Sequence, residues 1–157
     1  MRAYSIPLAA GIALAASAFL PWVRVGDVTL NGVPDTIGWW IVGLGVSATV
    51  LATLSFITRK NSRHPLLLVG LVSLGLMFLS WQLMPGVVAE RALTRSQAVS
   101  IVEGSTLQSA PPATVGFGIY LGLVASCLIV GFGLTIVVRR AASPYVVEAP
   151  DEIGRAH

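Results

Sequence analysis

Four long apolar segments, none of which contains Asp, Glu, Lys, Arg or His, dominate this chain. About 20 apolar residues are needed to cross the hydrocarbon core of a bilayer as a helix, and each segment reaches or approaches that length. We therefore predict a single all-α membrane domain, a bundle of four transmembrane helices. The predicted spans are residues 6–23, 37–57, 65–85 and 116–138.

Charged residues fall unevenly on the two sides of this path. One side has seven basic and three acidic residues, and the other has three basic and four acidic residues. Because short loops rich in Lys and Arg stay in the cytoplasm, both termini are predicted to be cytoplasmic. The same asymmetry favours a retained first span over a cleaved signal peptide. It also accounts for the net charge of +3, and no basic stripe with interleaved aromatics indicates nucleic-acid binding.

The two outer loops carry different patterns. Val and Leu residues between positions 23 and 33 are interrupted by Gly26-Asp27 and Asn31-Gly32, two turn signals that predict a small extracytoplasmic β-hairpin or three-stranded meander. Pro85-Gly86 is expected to close the third span. Residues 89–103 then have the spacing of a short amphipathic outer helix ending at Gly104. Residues 141–157 are predicted to form a flexible cytoplasmic tail.

Small residues at helical spacing predict where helices pack closely. Gly118, Gly122 and Ser126 follow one another at intervals of four on the last span, so they share one helix face. Gly11 and Ala15 lie in a first span built largely of small residues. The neighbour of such a face is either another helix of this chain, which we favour, or a partner.

Large aromatic residues concentrate near the outer ends of the predicted helices. Such residues either form an ordinary interfacial belt or provide an outer surface that docks a partner or binds a lipid, quinone or pigment. The set comprises Trp22, Trp39, Trp40, Trp81, Phe117 and Tyr120.

No sequence pattern predicts catalysis. The chain lacks a nucleophile elbow, a phosphate-binding loop, a dinucleotide fingerprint and a zincin motif. His64 and His157 are too far apart in sequence, and too isolated from carboxylates, to indicate a metal or haem site. We expect neither an enzyme nor a tightly bound cofactor or metal.

Two short motifs resemble those of a known group of proteins. Phe19-Leu20-Pro21-Trp22-Val23 at the first helix end, and the run from Gly116 to Leu121 (GFGIYL), look like features of small uncharacterised bacterial four-span membrane proteins. This resemblance implies a bacterial cytoplasmic (inner) membrane location and no catalytic residues. The layout is also similar to that of claudin-like proteins, although their outer-loop cysteine pair is missing because Cys127 is the single cysteine here.

These patterns favour a non-catalytic structural or accessory subunit of a larger membrane complex, such as a respiratory, photosynthetic, transport or secretion assembly. Its partners would be membrane lipids and other membrane proteins, or further copies of itself. The alternatives are a small transporter or channel, and a binder of a lipid or hydrophobic cofactor at the outer aromatic zone. The uncharged spans count against a transporter, because ion and substrate paths usually need intramembrane ionisable groups.

Overall fold

The computed structural model describes residues 5–58, 63–104 and 112–141, and this part of the chain is mostly helical. It contains four helices and a small sheet of three strands, and three of the helices are long and apolar. In chain order the elements are α1 (Ser5–Ser17), β1 (Pro21–Val25), β2 (Val28–Asn31), α2 (Thr36–Thr58), α3 (Arg63–Glu103), β3 (Ala113–Val115) and α4 (Phe117–Ala141).

The helices pack as neighbours around a shared core. α1 contacts both α2 and α4, and α3 packs extensively on α4 but much less on α2. The large core side chains that are fully buried include Leu14, Ile41, Leu66, Met77 and Ile129. The weak contact between α2 and α3 leaves a cavity on that side of the molecule.

The bundle is apolar outside and partly polar inside. Exposed large hydrophobic residues occur on every helix, for example Ile12, Leu54, Leu68 and Leu128. In contrast, the buried polar residues of the described chain are all serines: Ser17, Ser55, Ser73, Ser80 and Ser126. Ser73 and Ser80 satisfy their hydroxyls by donating to the carbonyls of Val69 and Leu76, one turn earlier in the same helix.

The predicted hairpin is confirmed, but its third strand comes from a distant part of the chain. β1 and β2 pair antiparallel around the turn at Gly26-Asp27, where Gly26 adopts a positive φ of 56°. β3 pairs antiparallel with the other edge of β1, which gives the order β2-β1-β3. Asn31-Gly32 therefore ends β2 and does not lead into a third consecutive strand.

The first predicted span is too long, because α1 ends at Ser17 and not near Val23. The Ser17 hydroxyl donates to the Leu14 carbonyl at 2.6 Å, and the Trp22 indole donates to the Ser17 carbonyl at 2.8 Å. These bonds stabilise a tightened turn, in which residues 18–20 bond three residues back. β1 then begins at Pro21, so α1 is a 13-residue apolar helix, about 20 Å long.

The predicted break at Pro85-Gly86 is wrong, because α3 continues through it as one helix of 41 residues. The predicted outer helix is thus the second half of α3, and it ends as expected before Gly104, which has a φ of +62°. Pro85 removes one backbone donor, yet the residues that follow it, such as Ala89, Ala92 and Leu93, have high helix propensity. The bounds of α2 and α4 agree with the second and fourth predicted segments within a few residues. Residues 142–157 of the predicted tail lie outside the described residues.

Candidate functional site

Trp22 lies at the junction where α1, the sheet and α4 meet. Its side chain is fully buried, so it does not belong to the predicted outer docking surface. The indole lies directly against Gly32 and Gly118, where an added Cβ would come within 2.5 Å and 2.7 Å of ring atoms. The Trp22 carbonyl accepts a 2.7 Å bond from the Gly116 N–H, which ties β1 to the start of α4. Trp22 is thus a packing residue that connects α1, the sheet and α4 at one end of the bundle.

The predicted packing residues of α1 contact α2 directly. An added Cβ on Gly11 would come within 2.6 Å of the Thr49 hydroxyl and 3.0 Å of the Gly45 carbonyl. Ala15 faces Gly45, whose added Cβ would lie 2.6 Å from the Ala15 backbone nitrogen. The close approach is therefore between two helices of the same chain. Gly45 is the packing residue on α2, and the sequence analysis did not predict it.

The predicted small-residue face of α4 is also used within the chain. Gly118 lies against the Ser17 and Leu20 carbonyls, which an added Cβ would approach to 2.9 and 3.0 Å. Gly122 lies against the end of the Met77 side chain, and Ser126 is fully buried. The end of a methionine side chain can move and a backbone carbonyl cannot. A larger side chain is therefore harder to accommodate at Gly118 than at Gly122.

The remaining predicted aromatic residues lie on the outside of the bundle at its sheet end. Trp39 and Trp40 are in the first turns of α2, and Phe117 and Tyr120 are in the first turn of α4; all four are at least half exposed. Trp81 is less exposed and pairs with Phe78 on its own helix, with ring centroids 5.7 Å apart. These residues share one end of the molecule.

The second half of α3, which the sequence predicts as an amphipathic outer helix, has two adjoining shallow grooves on its surface. One shallow groove is lined by Val87, Glu90, Arg91, Thr94, Arg95 and Ala98, and a second by Arg95, Ala98, Val99 and Val102. The two share Arg95 and Ala98, so they form one continuous face, which we call the outer face of α3. Val102 is 86% exposed, and the neighbouring Ile101 is 83% exposed.

A deeper cavity of about 410 Å³ lies between the start of α2 and the middle of α3. Its wall is mostly aliphatic, and it includes one acidic and one basic residue. These two residues belong to different outer loops in the sequence prediction, so their proximity to one cavity is a result of the fold. The lining residues are Asp35, Ile37, Leu76, Leu79, Ser80, Leu83, Met84, Val87, Val88 and Arg91.

The described residues offer no cluster of three or more His, Cys, Asp or Glu side chains that could hold a metal ion. His64 is exposed at the start of α3, and Cys127 is exposed on the outside of α4.

Comparisons with known proteins give no assignment. No family model matches the chain, and neither a curated protein nor a solved structure matches it. The function has to be argued from the arrangement of the residues themselves.

Proposed function

We propose that this protein is a non-catalytic integral membrane protein that acts as an accessory subunit of a larger membrane complex. The observation that carries the proposal is α3, whose 41 residues make a helix about 60 Å long. A hydrocarbon core of about 30 Å accommodates only about half of that length. The remainder would project from the membrane as a rigid arm with apolar residues on its surface.

The distribution of polar and apolar residues supports a membrane location. Serines are buried inside, and large aliphatic side chains cover the outside of α2, α3 and α4. In water, exposing so much contiguous apolar surface would be unfavourable, because soluble monomers rarely expose apolar patches above a few hundred Å². In lipid the same surface has no such cost, and helices are held together by close packing of small residues, as at Gly11 and Gly45.

The short helix α1 fits this placement together with its neighbours. Its length of about 20 Å is less than the hydrocarbon thickness, but α1 packs between α2 and α4. The turn that follows it includes the buried Ala18, and the backbone N–H groups of residues 18–20 are hydrogen-bonded to carbonyls three residues back. Non-helical backbone is tolerated at membrane depth under those conditions. With α1 as a fourth crossing, the charge asymmetry of the sequence would leave both termini in the cytoplasm and the sheet outside.

The outer face of α3 supports the role of a subunit. Arg91, Arg95 and Glu90 line it beside Val99 and Val102, so it offers aliphatic contacts next to two basic groups and one acidic group. Exposed apolar residues on a helix outside lipid are typical of surfaces that bind proteins. A membrane-protein partner with acidic groups near an apolar groove would complement this face.

Gentle detergent extraction followed by native mass spectrometry tests the proposal. We expect the chain to be recovered in a stoichiometric complex with at least one different membrane protein. A variant with Val99→Gln and Val102→Gln should be recovered mainly as the free chain, because it lacks the apolar contacts of the arm. A matched variant with Ser96→Gln and Ser100→Gln, on the same arm but away from the outer face of α3, should remain in the complex.

The outcome is decisive in either direction. Recovery of the wild-type chain only by itself, or only as a homo-oligomer, would contradict the accessory-subunit proposal. Equal recovery of the complex for both double variants would show that the arm is not the contact surface.

A further inference from the structure

The cavity between α2 and α3 has the dimensions of a site for a single lipid chain. Its aliphatic α3 wall runs from Leu76 to Val88, thirteen residues that cover about 18 Å along the helix. One leaflet of a hydrocarbon core is about 15 Å thick, which is half of the full thickness. The aliphatic part of the cavity therefore matches the depth that one acyl chain occupies.

The two charged lining residues lie toward the polar end of this wall. Asp35 directly precedes α2, and its carboxylate accepts a 2.9 Å bond from the Thr36 N–H. Arg91 lies on α3, beyond the aliphatic residues of the wall and in the direction of the projecting arm. Both side chains are exposed. An acidic and a basic group thus line the same cavity.

We propose that this cavity binds a zwitterionic phospholipid with a primary ammonium, the headgroup chemistry of phosphatidylethanolamine. One acyl chain lies along Leu76, Leu79 and Leu83, the Arg91 guanidinium contacts the phosphate, and the Asp35 carboxylate accepts from the ammonium. The inference rests on the membrane placement proposed above, but it needs no partner protein.

Charge complementarity distinguishes this lipid from the other common classes. A singly anionic headgroup such as phosphatidylglycerol satisfies Arg91 but places its phosphate near the Asp35 carboxylate without a compensating cation. A choline headgroup carries the right charges, but its quaternary ammonium has no N–H to donate to Asp35. A primary ammonium can make a charge-assisted hydrogen bond to Asp35 that choline cannot make, so the primary ammonium is favoured.

Native mass spectrometry of the pure protein, titrated with one defined lipid at a time, tests the inference. The probes are phosphatidylethanolamine, phosphatidylglycerol and phosphatidylcholine with identical acyl chains. We expect the wild type to bind one phosphatidylethanolamine about tenfold more tightly than either of the others. Equal affinity for all three lipids, or a preference for phosphatidylglycerol, would overturn the proposal.

Charge variants assign the binding to this cavity. Arg91→Gln should weaken phosphatidylethanolamine binding about tenfold, and Asp35→Asn should abolish its advantage over phosphatidylglycerol. Asn keeps the helix-capping ability of Asp, so the second variant should fold normally. The matched controls are Arg95→Gln and Asp27→Asn, which change the same charges outside the cavity. If the controls alter binding as much as the cavity variants do, the lipid is bound elsewhere.

The lipid assay is independent of the complex. If the chain binds phosphatidylethanolamine but purifies alone, the lipid site is supported and the accessory-subunit proposal is contradicted. If the chain purifies in a complex but shows no lipid preference, the accessory-subunit proposal is supported and the lipid site is contradicted.

Discussion

At the scale of single residues, the structure separates side chains that look equivalent in the sequence. Trp22 and Trp39 were both predicted to lie at an outer aromatic surface, yet Trp22 is fully buried and Trp39 is 57% exposed. The difference arises because the indole of Trp22 has a buried acceptor, the Ser17 carbonyl, and two glycines that make room for the ring. Trp39 is in the first turn of a helix whose outer side has no neighbour to cover it.

Gly118 offers a direct test of the Trp22 junction. Gly118→Ala should destabilise the protein by about 1–3 kcal/mol, because its new methyl group meets backbone carbonyls and the indole ring. Gly131→Ala on the same helix is the control, since a Cβ there meets nothing within 4 Å. The control should be neutral or stabilising by up to about 1 kcal/mol through helix propensity. Unfolding titrations in mixed micelles measure both, and equal effects would refute the close packing at Gly118.

Substitution of Trp22 itself should separate packing from hydrogen bonding. Trp22→Phe removes the indole donor to the Ser17 carbonyl and part of the ring volume, so we expect a loss of about 1–3 kcal/mol in stability. Trp40→Phe, at a residue that is 65% exposed, should change stability by less than about 0.5 kcal/mol. A similar loss for both variants would show that Trp22 has no special structural role.

At the scale of elements, the positions of small residues determine how closely two helices pack. Gly45 and Ala15 bring α1 and α2 into backbone contact, whereas Gly43, two residues away, faces open space. Sequence spacing identified Gly11 and Ala15 as packing residues, but it did not identify Gly45 as their neighbour. Several small residues of α2 were equally plausible, and only the relative rotation of the two helices selects one of them.

The continuity of α3 predicts the effect of removing its internal proline. Pro85→Ala should be tolerated or stabilising, by up to about 3 kcal/mol, because Ala restores a backbone donor and suits a helix interior. Were Pro85-Gly86 a genuine break between two helices, the same substitution would instead disturb the turn and destabilise the protein. Unfolding titrations, together with the helical content measured by circular dichroism, distinguish the two outcomes.

At the scale of the whole molecule, the central expectation is that the sheet and the arm of α3 lie on the same side of the membrane. In a Cys127→Ala background, the single-cysteine variants Asp27→Cys in the hairpin turn and Gln97→Cys on the arm should react with an impermeant maleimide added outside intact cells. Gln97 is exposed and lies away from the outer face of α3, so a bound partner would leave it accessible. A cysteine at His64, at the other end of α3, should react only after the cells are opened. Labelling of all three positions from outside would contradict the proposed topology.

The sequence alone determined the features that depend on local composition: the apolar segments, the boundaries of α2 and α4, the Gly26-Asp27 turn and the end of α3 at Gly104. Each follows from the length, periodicity or backbone preference of neighbouring residues. Only the tertiary structure decided how distant segments combine. β3 pairs with β1 across about 90 residues of chain, the Trp22 indole is buried against the end of α1, and Asp35 and Arg91 line one cavity. Those outcomes depend on which helix faces meet, and that is a property of the packed bundle that no single segment encodes.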